Sequence, residues 1–243
     1  MRYCIQSSDA VVERGEDGVE THALFGSARA CSEFEQRVLR FGEGSDDRRD
    51  TERDEVLYVL SGGGELTIGG ERSSVATGTA AYIAAGTNWR VDGADELVLL
   101  SVLVEKPLPV NGTTHAVVEL AAEQTRGATA GREFRLLATP EIGCATVTQF
   151  VGYIPVGRAP DHFHTYDEVV YVLEGEGAAH VGDESAPLRP GSSVHLPARL
   201  VHSLENTGPG VMQVLGVFRP AGSPAEAYYP DGTRAGVPKQ EES

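Results

Sequence analysis

The chain has 243 residues, enough for one large or two small domains, and its 29 Gly and 13 Pro point to a turn-rich, strand-built protein. A formal net charge of −16 at pH 7 argues against nucleic acid and anionic membrane surfaces as partners, since both require a basic stripe. The three cysteines lack CxxC spacing, the start MRYCIQSSDAVVERGEDG lacks an apolar leader, and no stretch approaches the ~18–20 apolar residues of a membrane helix, so a cytoplasmic protein with reduced thiols is expected.

In chain order, the first ~30 residues are free to lend a strand to a neighbouring unit. Residues 54–70, DEVLYVLSGGGELTIGG, read as a β-branched run, a Gly-rich turn and a second strand. In VEKPLPVNGTT (104–114), two prolines and an Asn-Gly interrupt the strand pattern and mark a join. Domains are therefore expected at 1–110 and 111–243. ELAAEQ (119–124) offers at most a turn or two of helix. Residues 167–183, DEVVYVLEGEGAAHVGD, then repeat 54–70. Asp54, Glu55, Tyr58, Gly62 and Gly69 recur at Asp167, Glu168, Tyr171, Gly175 and Gly182, each pair 113 positions apart. Cys31 and Cys144, Gly78 and Gly191, and Pro107 and Pro220 keep the same offset, so the chain is an internal duplication. LRPGSSVHLPARLVHSLEN supplies two turns and two strands, and VMQVLGVFRP a buried, near-continuous strand. Past about 222 the tail is polar, with a loosely held end, although Tyr228 and Tyr229 could dock on the fold. Many short strands without helical crossovers imply all-β architecture, a sandwich or barrel in each half.

The second unit carries the chemistry. It reads Gly157-x4-His162-x-His164-x3-Glu168-x6-Gly175, then Pro190-Gly191, then His202-x3-Asn206. Side chains at i and i+2 of a strand share a face, so His162 and His164 are presented together; Glu168 has the same parity, and His202 arrives from a later strand. Three imidazoles and a carboxylate suit one divalent Fe, Mn, Ni, Cu or Zn ion, with a position or two open for water or substrate.

This pattern resembles the cupin superfamily, whose motifs are a Gly…HxH…E…Gly stretch and a later Pro-Gly…His…Asn stretch. The resemblance covers both halves and implies a bicupin: two tandem cupin (double-stranded β-helix, jelly-roll-like) barrels. It implies that His162, His164, Glu168 and His202 are the metal ligands, and that a homodimer is possible.

The first unit tests the idea from within. At the constant offset His162 becomes Arg49, His164 becomes Thr51 and His202 becomes Trp89, while Glu55 keeps its type. Neither guanidinium nor indole has a lone pair to offer, so the first barrel has lost the site. It either became a recognition or lid domain, with Arg49 pairing Glu55 or a carboxylate substrate, or simply stabilises the pair.

His180, expected to be exposed, His195, which replaces Tyr82, and His115 are read as non-catalytic. Tyr166 and Arg199 are placed at the barrel rim, and Tyr153, Gln149 and Phe218 at the pocket wall. Cys31 and Cys144 are read as core, and the Gly-rich runs as turns.

Three functions fit a small-molecule substrate. The first is a dioxygenase-like oxidoreductase acting on a small aromatic, enol or carboxylic substrate, with Glu168 as the base, as the resemblance to quercetin-dioxygenase-like cupins implies. The second is redox-neutral isomerisation, cyclisation or hydrolysis. The third is a non-catalytic binding barrel. The fold alone selects none of them.

Overall fold

The computed structural model describes residues 2–108 and 112–235. Part of the expected join at 104–114 and the end of the tail, expected to be loosely held, fall outside the described residues.

The β-branched runs become strands, and glycines of the repeat let neighbouring strands approach closely. Gly62 and Gly175 are one position of the repeat, and both sit at positive φ, +77° and +86°. A Cβ on Gly62 would lie 2.4 Å from the Glu96 carbonyl oxygen, and one on Gly175 would lie 2.8 Å from Met212 Cα. Gly62 lies inside strand Asp54–Ile68, where the pairing with Trp89–Val104 shifts register. The Gly-rich segment of the first unit is therefore a bulged strand and not the expected turn, and only glycine permits so close an approach there.

The first half forms an eight-stranded antiparallel sheet that curls on itself. Its order is Val11–Arg14, Glu20–Phe25, Phe34–Arg40, Trp89–Val104, Asp54–Ile68, Thr79–Ile83 and His115–Glu119, with Glu71–Ala76 paired to Asp54–Ile68. The second half forms two sheets. One runs Cys4–Gln6, Ser192–Leu196, Asp167–Glu174, Met212–Arg219, Thr148–Ile154, Glu133–Ala138 and Arg126–Gly127; the other runs Gly157–Arg158, His202–Asn206, Gly177–Val181 and Glu184–Leu188.

The outermost strands are exchanged. Cys4–Gln6, from the start of the chain, pairs with Ser192–Leu196, and His115–Glu119, beyond the join, pairs with Thr79–Ile83. The exchange is reciprocal in register: Cys4 faces Val194, and Val117, 113 positions later, faces Ala81. A cut at 110/111 therefore separates each of these strands from the sheet it completes. The duplication also extends upstream of residue 31, since strand Glu20–Phe25 recurs as Glu133–Ala138.

Alternation along the strands sorts the cores. Leu57, Leu66, Ile68, Trp89 and Leu99 fill the first barrel, and Val170, Val172, Val181, Leu196 and Leu204 the second. A third and larger core lies between them, where Val56, Tyr58 and Val102 meet Val151, Val169, Tyr171 and Val217. Leu120–Ala122 is a single 3-10 turn. Tyr228 docks as the tail reading allowed, exchanging backbone hydrogen bonds with Phe163. Among the described residues no helix is long and apolar enough to cross a membrane.

Candidate metal centre

The second barrel gathers its site from three segments and ties each imidazole down. His162 and His202 exchange backbone hydrogen bonds, 3.0 and 2.8 Å, which sets the two strands side by side. The rings of His162, His164 and His202 form a triangle with centroids 4.7–5.0 Å apart. One ring nitrogen from each lies within 4.8 Å of the other two.

The tautomers follow from the partners. Nδ1 of His162 lies 2.8 Å from the Pro160 carbonyl oxygen, Nδ1 of His164 2.6 Å from that of Glu226, and Nδ1 of His202 2.9 Å from that of Leu200. A carbonyl only accepts, so each Nδ1 donates, and each Nε2 keeps a lone pair. His202 Nε2 is buried without a hydrogen-bond partner among the described residues. Burial, reinforced by the neighbouring imidazoles, holds His202 well below the ordinary histidine range and brings His164 down to about 3. Three neutral, oriented nitrogen donors, one orphaned in the interior, match what a divalent transition metal requires.

Glu168 stands beside this group. Its Oε2 is 4.0 Å from His164 Nε2, and the carboxylate does not share the mutual spacing of the three rings. Burial, aided by the charge of Asp167 and opposed by Arg132, pushes its carboxyl up to about 8. Gly216 makes room for it, because a Cβ there would lie 2.9 Å from Glu168 Oε1 and collide with Phe150.

These side chains open into a pocket walled by Phe134, Phe150, Tyr153 and Tyr166. Tyr166 stacks on His164 at 4.5 Å and on Phe218 at 4.0 Å, so it belongs to the pocket wall rather than the rim, with Phe218 behind it. Burial pushes the Tyr166 hydroxyl far above the ordinary tyrosine range, and it stays protonated. Arg199 is exposed, and Gln149 points away to donate to the Leu57 carbonyl across the junction.

Sequence reasoning missed Arg132. It lines the pocket, and its Nη2 donates to the Leu204 carbonyl oxygen at 2.8 Å. It makes no salt bridge within 4.0 Å among the described residues. Burial lowers its pKa, and Glu168 opposes that shift. The one available signal was comparative, since the repeat places Val19 at the equivalent position of the first unit. The second contribution missed was the tail, whose Glu226 carbonyl fixes the His164 tautomer.

The first barrel corrects one expectation. Arg49 does not pair with Glu55 but lines an open groove with Asp47 and Asn88. Glu55 instead accepts from Arg37 Nη2 at 3.1 Å, Trp89 Nε1 at 2.9 Å and the Ser101 hydroxyl. His180 is also not exposed: it is partly buried, with Nε2 2.9 Å from Glu205 Oε2. His115 lies 3.4 Å from Glu71 Oε2 near the join.

The model of the cupin domain matches the chain twice, at residues 38–103 and 149–218. Among curated proteins, the chain is 35% identical over 82 residues to Protein SchB of Streptomyces halstedii, covering 32% of this chain and 59% of that protein. It is 34% identical over 82 residues to Polyketide synthase CurC of Streptomyces cyaneus, covering 32% of this chain and 53% of that protein. The matches thus span little more than half the length of these relatives. Among solved structures, a putative glyoxylate induced protein from Pseudomonas aeruginosa superposes with a TM-score of 0.74 at 19% identity, over 88% of this chain and 87% of that one. An oxalate decarboxylase from Bacillus subtilis gives 0.74 at 15% identity, over 91% and 78%. At these identities the likeness is one of fold.

Proposed function

The chain belongs to the cupin family, each half matching the family's domain, and from that premise we propose that it is a metal-dependent enzyme whose working centre is the second barrel. In this reading His162, His164 and His202 hold one divalent transition metal, Glu168 is the fourth ligand or the proton carrier beside it, and the reaction is a dioxygenase-like oxidation. The observation that carries the reading is the convergence of three imidazoles whose Nδ1 atoms are all spent on carbonyls. When bound, the metal would supply Lewis acidity and, as Fe or Cu, access to O2.

The remaining roles fall to side chains. The phenyl and phenol walls accept a flat, aromatic or enolised substrate and exclude water. Arg132 offers its unspent N–H groups to an anionic oxygen, a carboxylate or phenolate. In its carboxylate form Glu168, made more basic by burial, takes a proton from the substrate hydroxyl or α-carbon and returns it. Tyr166 holds the His164 ring by stacking.

Redox-neutral proton transfer is the second reading, and the raised carboxyl of Glu168 supports it, because such a group can carry a proton in an isomerase or cyclase. The name of one relative, Polyketide synthase CurC, makes oxygen-rich polyketides and phenols the first compounds to screen.

Elemental analysis followed by turnover in an oxygen electrode separates the two. Fe or Cu at one equivalent in this site, with O2 consumed in step with a phenol or enol, supports the oxygenase. Turnover under strict anaerobiosis overturns it in favour of the second reading.

A further inference from the structure

Neighbouring residues of one strand serve opposite faces. Glu168 points into the second barrel, whereas Asp167 shares the outward face with Val169 and Tyr171, which line the core between the barrels. His195 lies opposite Val169 on the adjacent strand and so appears on that same outward face. Cys31, from the first unit, comes to meet them. One donor atom each from Cys31, Asp167 and His195 lies within 4.8 Å of the other two. Cys31 and His195 are buried, and Asp167 is partly so. His195 Nε2 is 2.7 Å from Asp167 Oδ1, and Oδ2 has no protein donor among the described residues.

The duplication supplies a control within the same molecule. At the equivalent positions the other side of the junction carries Cys144, Asp54 and Tyr82. There both carboxylate oxygens are spent: Asp54 Oδ1 accepts from the Ala85 backbone N–H at 2.9 Å, and Oδ2 from the Thr146 hydroxyl at 2.7 Å. A neutral phenol stands where His195 stands. On one face of the junction the carboxylate is thus fully hydrogen-bonded, and its twin gathers sulfur, nitrogen and oxygen donors.

We propose that Cys31, Asp167 and His195 form a second divalent-metal site at the junction of the two barrels, chemically separate from the three-imidazole centre. A thiolate, an imidazole and a carboxylate suit Zn2+, with the fourth tetrahedral position left to water. On uptake the thiol proton passes to solvent. Because Cys31 belongs to one unit and Asp167 and His195 to the other, the ion cross-links the two halves.

The test is titration of the metal-stripped full chain with Co2+, read as the thiolate-to-cobalt charge-transfer absorption in the near ultraviolet. The wild type and His164→Ala should both show that band, since the barrel centre has no sulfur. Cys31→Ser and His195→Tyr should each lose the band and one bound equivalent while keeping cobalt at the three imidazoles. His195→Tyr copies the residue the sibling unit carries at 82, so it keeps the fold even if Cys31→Ser does not. Absence of the band in the wild type, or its survival in folded Cys31→Ser, overturns the proposal. Neither result bears on the barrel centre, which is read from the sulfur-free equivalent.

Discussion

At the scale of single residues the two barrels answer one problem in opposite ways. Each keeps a glutamate at the same position of the repeat, and each surrounds it with donors suited to a different task. Around Glu168 the donors are neutral imidazoles whose ring nitrogens converge on one another. Around Glu55 they are Arg37, Ser101 and the Trp89 indole, which close the position by hydrogen bonding. His164→Ala or His202→Ala should lose the barrel equivalent of metal, with affinity down by more than the about 10- to 100-fold that loss of an outer-shell partner costs, whereas Arg49→Ala, out in its surface groove, should retain it; elemental analysis decides, and full retention in either histidine variant refutes the ligand assignment. Arg132→Ala should raise KM for an anionic substrate about 10- to 150-fold, because a charge-assisted hydrogen bond contributes about 1.5–3 kcal/mol. Arg132→Lys should recover part of that loss, and an unchanged KM in Arg132→Ala would remove the guanidinium from substrate recognition. The histidines were legible in the sequence because their spacing along strands is the signal itself. Arg132 was not, since it lies outside both motifs and reaches the pocket only through tertiary folding. The Glu226 carbonyl had no sequence signal at all, because a backbone atom carries none.

At the scale of elements, strand parity decided more than propensity did. Alternation in DEVVYV sends Glu168, Val170 and Val172 into the barrel and Asp167, Val169 and Tyr171 into the junction, so adjacent acidic residues serve separate sites. The repeat could be read from the sequence because its glycines recur at positive φ, but the Gly-rich turn expected in the first unit is a bulge within strand Asp54–Ile68. The partners of the outermost strands could not be identified. Cys4–Gln6 is too short for a periodic pattern, and a Cys-Ile-Gln triplet does not say which sheet it completes; only the general freedom of the first ~30 residues was visible. Ile5 carries the docking of that strand, buried at 7% exposure among side chains from both halves. Ile5→Ala should therefore destabilise the protein by about 2–5 kcal/mol, and Ile5→Val by about 0.5–1.5 kcal/mol. Denaturant unfolding of both variants measures this, and an unshifted midpoint for Ile5→Ala would mean that the exchanged strand contributes nothing to stability.

At the scale of the whole molecule the two units are bound by more than a linker. Each completes the other's sheet, the largest apolar core lies between them, and polar contacts cross the junction: Thr146 to Asp54, Gln149 to Leu57, Arg219 to Glu33. A domain that exposes this core and lacks an edge strand has little left to hold it folded. The chain should therefore unfold in one cooperative transition, although multidomain proteins commonly show more than one. The consequence for the metal is measurable. Leu99 fills the first barrel, 1% exposed and remote from the three imidazoles, so Leu99→Ala should cost about 2–5 kcal/mol. If the halves are coupled, that damage must reach the second barrel, lowering the temperature of metal release in step with the unfolding midpoint. Calorimetry run in parallel with a metal-indicator dye reads both quantities on one sample. Two resolved transitions, with metal release following only the unaltered one, would show that the barrels stand independently and that the strand exchange is an ornament of the duplication.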